Sequence, residues 1–306
     1  MKWFSAFLKL IRWPNLVFIA GTQLLFYFFV YLPLYNSGPD LFSLTWLIVA
    51  SVLIAAGGYI INDYFDINID QVNKPNQNVL THTINRRSAI LLHLFFSISG
   101  ILATAIAVSF QKWYLIIANI ICVILLWLYS TSFKRQFLVG NIVISILTAW
   151  TVLIIFFAKV PFVSAFGNQD PLTIKFFRVS FLYAGFAFVI SLIREAIKDV
   201  EDMEGDIKYG CKTLPIIAGL MATKIYITIW IVVLTGSLVV LQLYILQFGC
   251  WLAVIYSVFF VVIPLFYLFV KHKNARTSPE FAKLSRLTKT IMLTGIISMI
   301  FFRLYF

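Results

Sequence analysis

The chain carries only 12 acidic residues, and nine of them fall into two short stretches at the ends of apolar runs. Asp63, Asp66 and Asp70 are spaced D-x-x-D-x-x-x-D. The same spacing returns at Asp199, Asp202 and Asp206, with Glu195, Glu201 and Glu204 around the second set. At about 100° per residue, positions i, i+3 and i+7 share one narrow stripe of an α-helix, so each trio is expected to point one way. Glu195 lies close to the second stripe; Glu201 and Glu204 lie nearly opposite, in a solvated position. A solvated helix end paired with nearby Lys and Arg accounts for one such comb, but two with identical spacing favour a site. Like charges on one stripe repel, and a carboxylate taken to a bilayer centre costs roughly 2.5–3.5 kcal/mol. A cation between the combs relieves both penalties. Hard oxygen donors without His or Cys select Mg²⁺ or Ca²⁺, and Mg²⁺ usually takes one or two carboxylates together with phosphate oxygens and water. The ligand these acids imply is a diphosphate bridged by Mg²⁺.

The elements that must position the combs are transmembrane helices. Of 306 residues, 61% are hydrophobic and 12% charged, against about 25% charged in ordinary soluble domains. Nine apolar runs are expected to cross a hydrocarbon core of roughly 30 Å: Pro14 to Tyr35, Leu41 to Ile61, Ala89 to Phe110, Trp113 to Ser132, Gly140 to Ala158, Phe176 to Ile193, Lys224 to Leu246, Gly249 to Val270 and Thr288 to Phe306. The fold class is therefore all-α, a polytopic bundle forming a single transmembrane domain over residues 1–306. The first run is too long for a signal h-region of about 7–15 residues, so it reads as an uncleaved first helix. The combs close the second and sixth runs, four helices apart, a spacing that suggests an old duplication with parallel halves.

The net charge of +12 does not point to nucleic acid, because the bases are segregated by loop. With the N-terminus inside, 19 Lys and Arg fall on one side and five on the other: Lys112, Lys159, Lys175, Arg178 and Arg303. By the positive-inside rule the N-terminus and both combs face the cytoplasm. Cys122, Cys211 and Cys250 are scattered, as are His82, His93 and His272, so neither a disulfide framework nor a Cys or His metal site is expected.

The stretch NDYFDINID, from Asn62 to Asp70, resembles the first aspartate motif of the UbiA-type intramembrane prenyltransferases, N-D-x-x-D-x-x-x-D. REAIKDVEDMEGDIKYGCKTLPI resembles the second, down to G-x-K-T-L-P at Gly210, Lys212, Thr213, Leu214 and Pro215. Smaller matches are Arg12 with Asn15, Tyr129-Ser130 with Lys134, and Gly140-Asn141. The resemblance implies nine helices around a central cavity open to lipid, with the motifs facing one another to hold Mg²⁺ on the diphosphate of an isoprenoid donor. It places Asn62, Asp63, Asp66, Asp70, Asp199, Asp202 and Asp206 at the metal. Asn62, Tyr129, Lys134, Arg87 and Lys212 are placed at the diphosphate, and Asp66, Asp202 and Lys134 in the catalytic role. The bases on that face serve equally well as positive-inside anchors; the motif match favours Lys134 most and Lys212 somewhat. One departure stands out: after Lys74-Pro75, Asn76-Gln77-Asn78 and His82-Thr83-Ile84-Asn85 replace the family's usual sequence, which bears on donor length and loop closure.

The second motif resembles most the branch that transfers a geranylgeranyl group to geranylgeranylglyceryl phosphate. This implies O-prenylation of a lipid alcohol in a bacterial or archaeal plasma membrane. The partners are an isoprenoid diphosphate donor, a lipophilic acceptor and membrane lipid, with no nucleic acid and no obligatory protein partner. The alternatives are C-prenylation of an aromatic quinone precursor of hydroxybenzoate or homogentisate type and, outside the enzymes, an ion or phosphate transporter. The transporter reading is disfavoured because the acids gather at one face and no Gly/Pro-interrupted helix pair is present. A CDP-alcohol phosphotransferase would need D-G-x-x-A-R, which this chain lacks.

Overall fold

The computed structural model describes residues 2–73, 85–161 and 170–305. A short N-terminal helix, α1 (Lys2–Leu10), leads into α2 (Trp13–Tyr35). Then follow α3 (Leu41–Asn73), α4 (Arg86–Ala107), α5 (Trp113–Thr131), α6 (Val139–Lys159), α7 (Pro171–Glu201), a second short helix α8 (Met203–Lys208), α9 (Leu214–Leu246), α10 (Trp251–Asn274) and α11 (Ser278–Tyr305). Among the described residues nine of these are long and apolar enough to cross a membrane, as the sequence predicts. The altered loop around Lys74-Pro75 and His82 lies outside the described residues.

The helices depart from the apolar runs where the site is built. Helix α3 does not end at Ile61 but runs for 33 residues, about 50 Å, so its last turns project beyond a core of roughly 30 Å. The extension persists because Ile60 and Ile67, seven residues apart on one face, stay buried against Leu10 of α1 and Ala89 of α4. The aspartates occupy a neighbouring stripe, turned toward the cavity. An apolar run ends where one face turns polar; the helix does not.

The second comb differs from the single stripe expected of it. Helix α7 ends at Asp202, whose backbone (φ −96, ψ 5) has left the helical region, and the chain restarts as α8. Asp199 lies on α7, Asp202 at the break and Asp206 on α8. The side chain of Asn73, at the end of α3, spans the break. Its amide donates to the Asp202 carbonyl at 3.0 Å, and its oxygen accepts from the Gly205 N–H at 2.8 Å. A residue from another helix thereby satisfies the Gly205 N–H that the start of α8 leaves open and adds a second donor to the Asp202 carbonyl, which also accepts from the Asp206 N–H. Helix α9 also begins earlier than expected, at Leu214 rather than Lys224; Pro215 opens it and Gly219, at φ 83, kinks it.

Close packing holds the bundle around these elements. Helices α3 and α4 meet through small residues: a Cβ on Gly100 would come within 2.7 Å of Ile54, and one on Gly57 within 3.1 Å of the Ser97 hydroxyl. His93 is buried there on the Gly57 carbonyl at 2.9 Å, and His272 caps the Leu268 carbonyl; both are core histidines. Cys122, Cys211 and Cys250 are buried free thiols. Away from the combs, Phe26, Tyr27, Phe156 and Phe176 form a fully buried aromatic core. A second core joins α7, α9, α10 and α11.

Candidate active site

Between these cores lies a cavity of about 2190 Å³, lined by Asn62, Asp63, Asp66, Asp70, Asp199, Asp202, Asp206, Tyr129 and Lys134. Each is carried by a different local device. Asp63, Asp66 and Asp70 stand on the projecting end of α3. Lys134 sits on a 3₁₀ turn between α5 and α6, which Gly140 allows to pack tightly: a Cβ there would fall 2.8 Å from the Lys134 Cα. Tyr129, near the end of α5, is within electrostatic reach of Asp66, Asp199 and Glu195.

The carboxylates are held by cations and amides. Lys134 is ion-paired with Asp66, whose other oxygen accepts from the Asn62 amide at 2.8 Å. Arg12 takes Asp63 at 2.5 Å and lies over the Tyr59 ring at 5.2 Å. Asp63 beside it holds the Arg12 guanidinium further into its charged form. Asn141 donates to Asp199 at 2.9 Å. Deeper along α7, Glu195 joins Arg194 at 2.8 Å and Lys198 at 3.2 Å.

Two residues expected at the diphosphate lie elsewhere. Arg87 is exposed at the start of α4, and Lys212 is exposed as well; neither lines the cavity. What Lys212 contributes is its main chain. After the left-handed turn at Gly210 (φ 69), its N–H meets the Arg135 carbonyl at 2.7 Å and ties down the turn that carries Lys134. The side chain is left facing outward. Conversely, Asn73, Arg194, Lys198 and Lys289 also line the cavity without having been assigned to the site. For Asn73 the signal was present, three residues beyond Asp70 on the same stripe. Lys289 announces itself only as a lone base at the start of an apolar run.

The donor set suits a hard divalent cation. Beside Asp66, the Asn62 Oδ1 is buried and accepts no hydrogen bond, which leaves an unused oxygen next to the comb. Among the described residues, however, no three His, Cys, Asp or Glu side chains converge closely enough to hold an ion by themselves. Like-charged carboxylates relax instead onto Lys134, Arg12 and Asn141. Such a half-built set fits Mg²⁺, which relies on phosphate oxygens and water for the rest of its shell.

The sequence matches the UbiA prenyltransferase family over residues 23–289. A digeranylgeranylglyceryl phosphate synthase of Thermococcus gammatolerans is 35% identical over 176 residues, 58% of this chain and 56% of that protein. The chain thus spans little more than half the length of that curated relative. One of the same name from Sulfolobus acidocaldarius is 33% identical over 225 residues, 72% of each chain. A solved structure concerned with digeranylgeranylglyceryl phosphate synthase in membranes superposes with a TM-score of 0.62 at 24% identity, covering 98% of this chain and 99% of that one. A UbiA homolog from Archaeoglobus fulgidus bound to DMAPP and Mg²⁺ superposes with a TM-score of 0.57 at 17% identity, covering 96% and 98%.

Proposed function

Because the chain belongs to the UbiA prenyltransferase family, we propose that it transfers a polyprenyl group from its diphosphate to a lipid alcohol of the geranylgeranylglyceryl phosphate class. The reaction takes place within the membrane and depends on Mg²⁺. The observation that carries this reading is the joining of two aspartate combs and Lys134 at one end of a cavity that continues into the apolar interior. Its volume of about 2190 Å³ is over twice the upper end of the roughly 300–1,000 Å³ typical of small-molecule sites, as two polyprenyl chains require. The uneven Lys and Arg count supports placing the comb end at the cytoplasmic face, and the archaeal relatives support a prokaryotic plasma membrane.

In this reading Asn62, Asp66 and Asp70 on α3, and Asp199, Asp202 and Asp206 across the cavity, hold the metal ions. Bound Mg²⁺ supplies Lewis-acid stabilisation of the charge that grows on the departing diphosphate. Lys134 moves from Asp66 to a diphosphate oxygen and adds a fixed positive charge where the leaving group develops its own. The apolar walls keep water from the allylic cation until the acceptor hydroxyl attacks it, forming the ether C–O bond while its proton passes to the released diphosphate.

The test is purified protein in detergent with geranylgeranyl diphosphate, Mg²⁺ and a panel of acceptors: geranylgeranylglyceryl phosphate, a hydroxybenzoate and homogentisate. Diphosphate release coupled to ether formation on the glyceryl phosphate is expected. Absence of release with every acceptor sinks the prenyltransferase reading; release with an aromatic acceptor alone moves the chain to the quinone branch.

A further inference from the structure

On the α2, α7 and α11 side of the same cavity stands a group of cations apart from Lys134. Arg12, Arg194, Lys198 and Lys289 all line the cavity wall. Among the described residues two carboxylates pair with them directly, while Asp70 and Asp199 act on Arg12 and Lys198 at longer range. Asp63 takes Arg12, and Glu195, whose side chain is 8% exposed, is shared by Arg194 and Lys198. Lys289 bonds to the Asn15 side-chain oxygen, a neutral group, and meets no carboxylate among the described residues. Its charge acts directly on Arg194 and Arg12. The Arg194 Nε is buried with no hydrogen-bond partner. Like charges gathered in an apolar wall, one with an unused buried donor, are costly to hold unless an anion completes them.

The position of the group limits which anion that is. Arg194 precedes Asp199 by five residues on α7, about 7.5 Å deeper along the helix. An anion held by Arg194 sits roughly one and a half helical turns from Asp199, displaced from the diphosphate clamp and near enough to belong to the molecule attacking it. Lys289, which pairs with no carboxylate among the described residues, and the unused Arg194 Nε suit a phosphate monoester, which carries about −1.5 to −2 at neutral pH. A glyceryl phosphate ether keeps its free hydroxyl within two carbons of the carbon that bears the phosphate. Anchoring that phosphate therefore brings the hydroxyl toward the allylic carbon.

We infer that Arg194 and Lys289, backed by Arg12 and Asn15, form the subsite for the phosphate of the acceptor, and that this subsite selects a phosphorylated lipid alcohol over a neutral one. The inference rests on the proposed prenyl transfer to a lipid alcohol and specifies how that acceptor is recognised. Glu195 plays a supporting part: it neutralises Lys198 and one edge of Arg194, while the buried Nε keeps an unused donor.

The experiment compares kcat/KM for geranylgeranylglyceryl phosphate with that for geranylgeranylglycerol, its dephosphorylated alcohol, at fixed geranylgeranyl diphosphate and Mg²⁺. The unaltered protein is expected to favour the phosphate. Lys289→Met is expected to reduce that preference by roughly 10- to 100-fold, the value of a hydrogen bond to a charged group, through a raised KM for the phosphate acceptor. Lys289→Arg is expected to recover most of the preference. Arg286→Gln, at an exposed position one turn away on α11, is expected to leave it unchanged. Should Lys289→Met not purify as a monodisperse species, Arg194→Gln carries the same comparison. Retention of the full preference in Lys289→Met and Arg194→Gln, with transfer intact, overturns the subsite and leaves the prenyltransferase reading standing. No preference in the unaltered protein, or no transfer to either alcohol, overturns the acceptor reading and the subsite with it.

Discussion

The contact between Asn73 and Gly205 offers a substitution whose sign depends on its partner. A Cβ added to Gly205 would lie 2.5 Å from the Asn73 Oδ1 and 2.6 Å from its Nδ2, so Gly205→Ala must expel the Asn73 side chain. Two hydrogen bonds are then lost, to the Gly205 N–H and the Asp202 carbonyl, together about 1–3 kcal/mol. Against this, Ala in a helix is favoured over Gly by up to about 1 kcal/mol. The net expectation for Gly205→Ala is a loss of about 1–2 kcal/mol in unfolding by SDS in mixed micelles. A raised Mg²⁺ half-saturation for prenyl transfer should accompany it, since Asp202 and Asp206 flank the clasp. Asn73→Ala removes the same two bonds and should do similar harm. In that background the obstruction is gone, so adding Gly205→Ala should be neutral or stabilising by up to about 1 kcal/mol. The pair is thus expected to be non-additive by about 2 kcal/mol. Additivity within the roughly 0.3–0.5 kcal/mol seen for independent sites would refute the argument that this clasp sets the second comb.

Asp66→Asn and Asp202→Asn should each leave the protein folded and cut turnover at least as much as the roughly 10–100-fold lost with outer-shell partners of metals; full activity in either removes it from the metal site. Gly140→Ala should push against the Lys134 backbone, 2.8 Å from the new Cβ, at a cost of about 1–3 kcal/mol. A tenfold or greater fall in kcat/KM for the diphosphate donor is expected, and an unaltered value counts against a rigid Lys134 turn. At the opposite end, the hydrogen bond from Lys159, 2.8 Å away, holds the Asp40 carboxyl below the usual range. A lowered folded pKa gives stability that is present above the unfolded value near 4 and lost as pH falls through the folded one. Because Asp40 is half exposed, Asp40→Asn should cost less than about 1 kcal/mol at neutral pH. The two melting curves should converge as pH falls below the unfolded value near 4, and a gap that persists in strong acid excludes the ion pair as its source.

What the sequence determined by itself is local in kind. Apolar runs set the nine spans because a bilayer leaves the backbone no alternative to helix over roughly 20 apolar residues. The i, i+3, i+7 spacing put Asp63, Asp66 and Asp70 on one stripe because helical periodicity is fixed. Such regularities end within a few turns. Nothing in the run ending at Ile61 showed that α3 continues to Asn73, since the continuation depends on Leu10 and Ala89 covering Ile67 from other helices. Nor did the spacing of Asp199, Asp202 and Asp206 reveal a break held by a side chain 129 residues away. The choice of partner was likewise tertiary. Arg12 meets Asp63 across 51 residues, Lys134 meets Asp66 across 68, and Lys289 meets Asn15 across 274, while Arg87 and Lys212, equally basic and on the expected face, stay outside the cavity. Charge and composition are alike in all of these bases. Which of them reaches the site is decided by which helix end is brought beside it, and that is a property of the packed bundle.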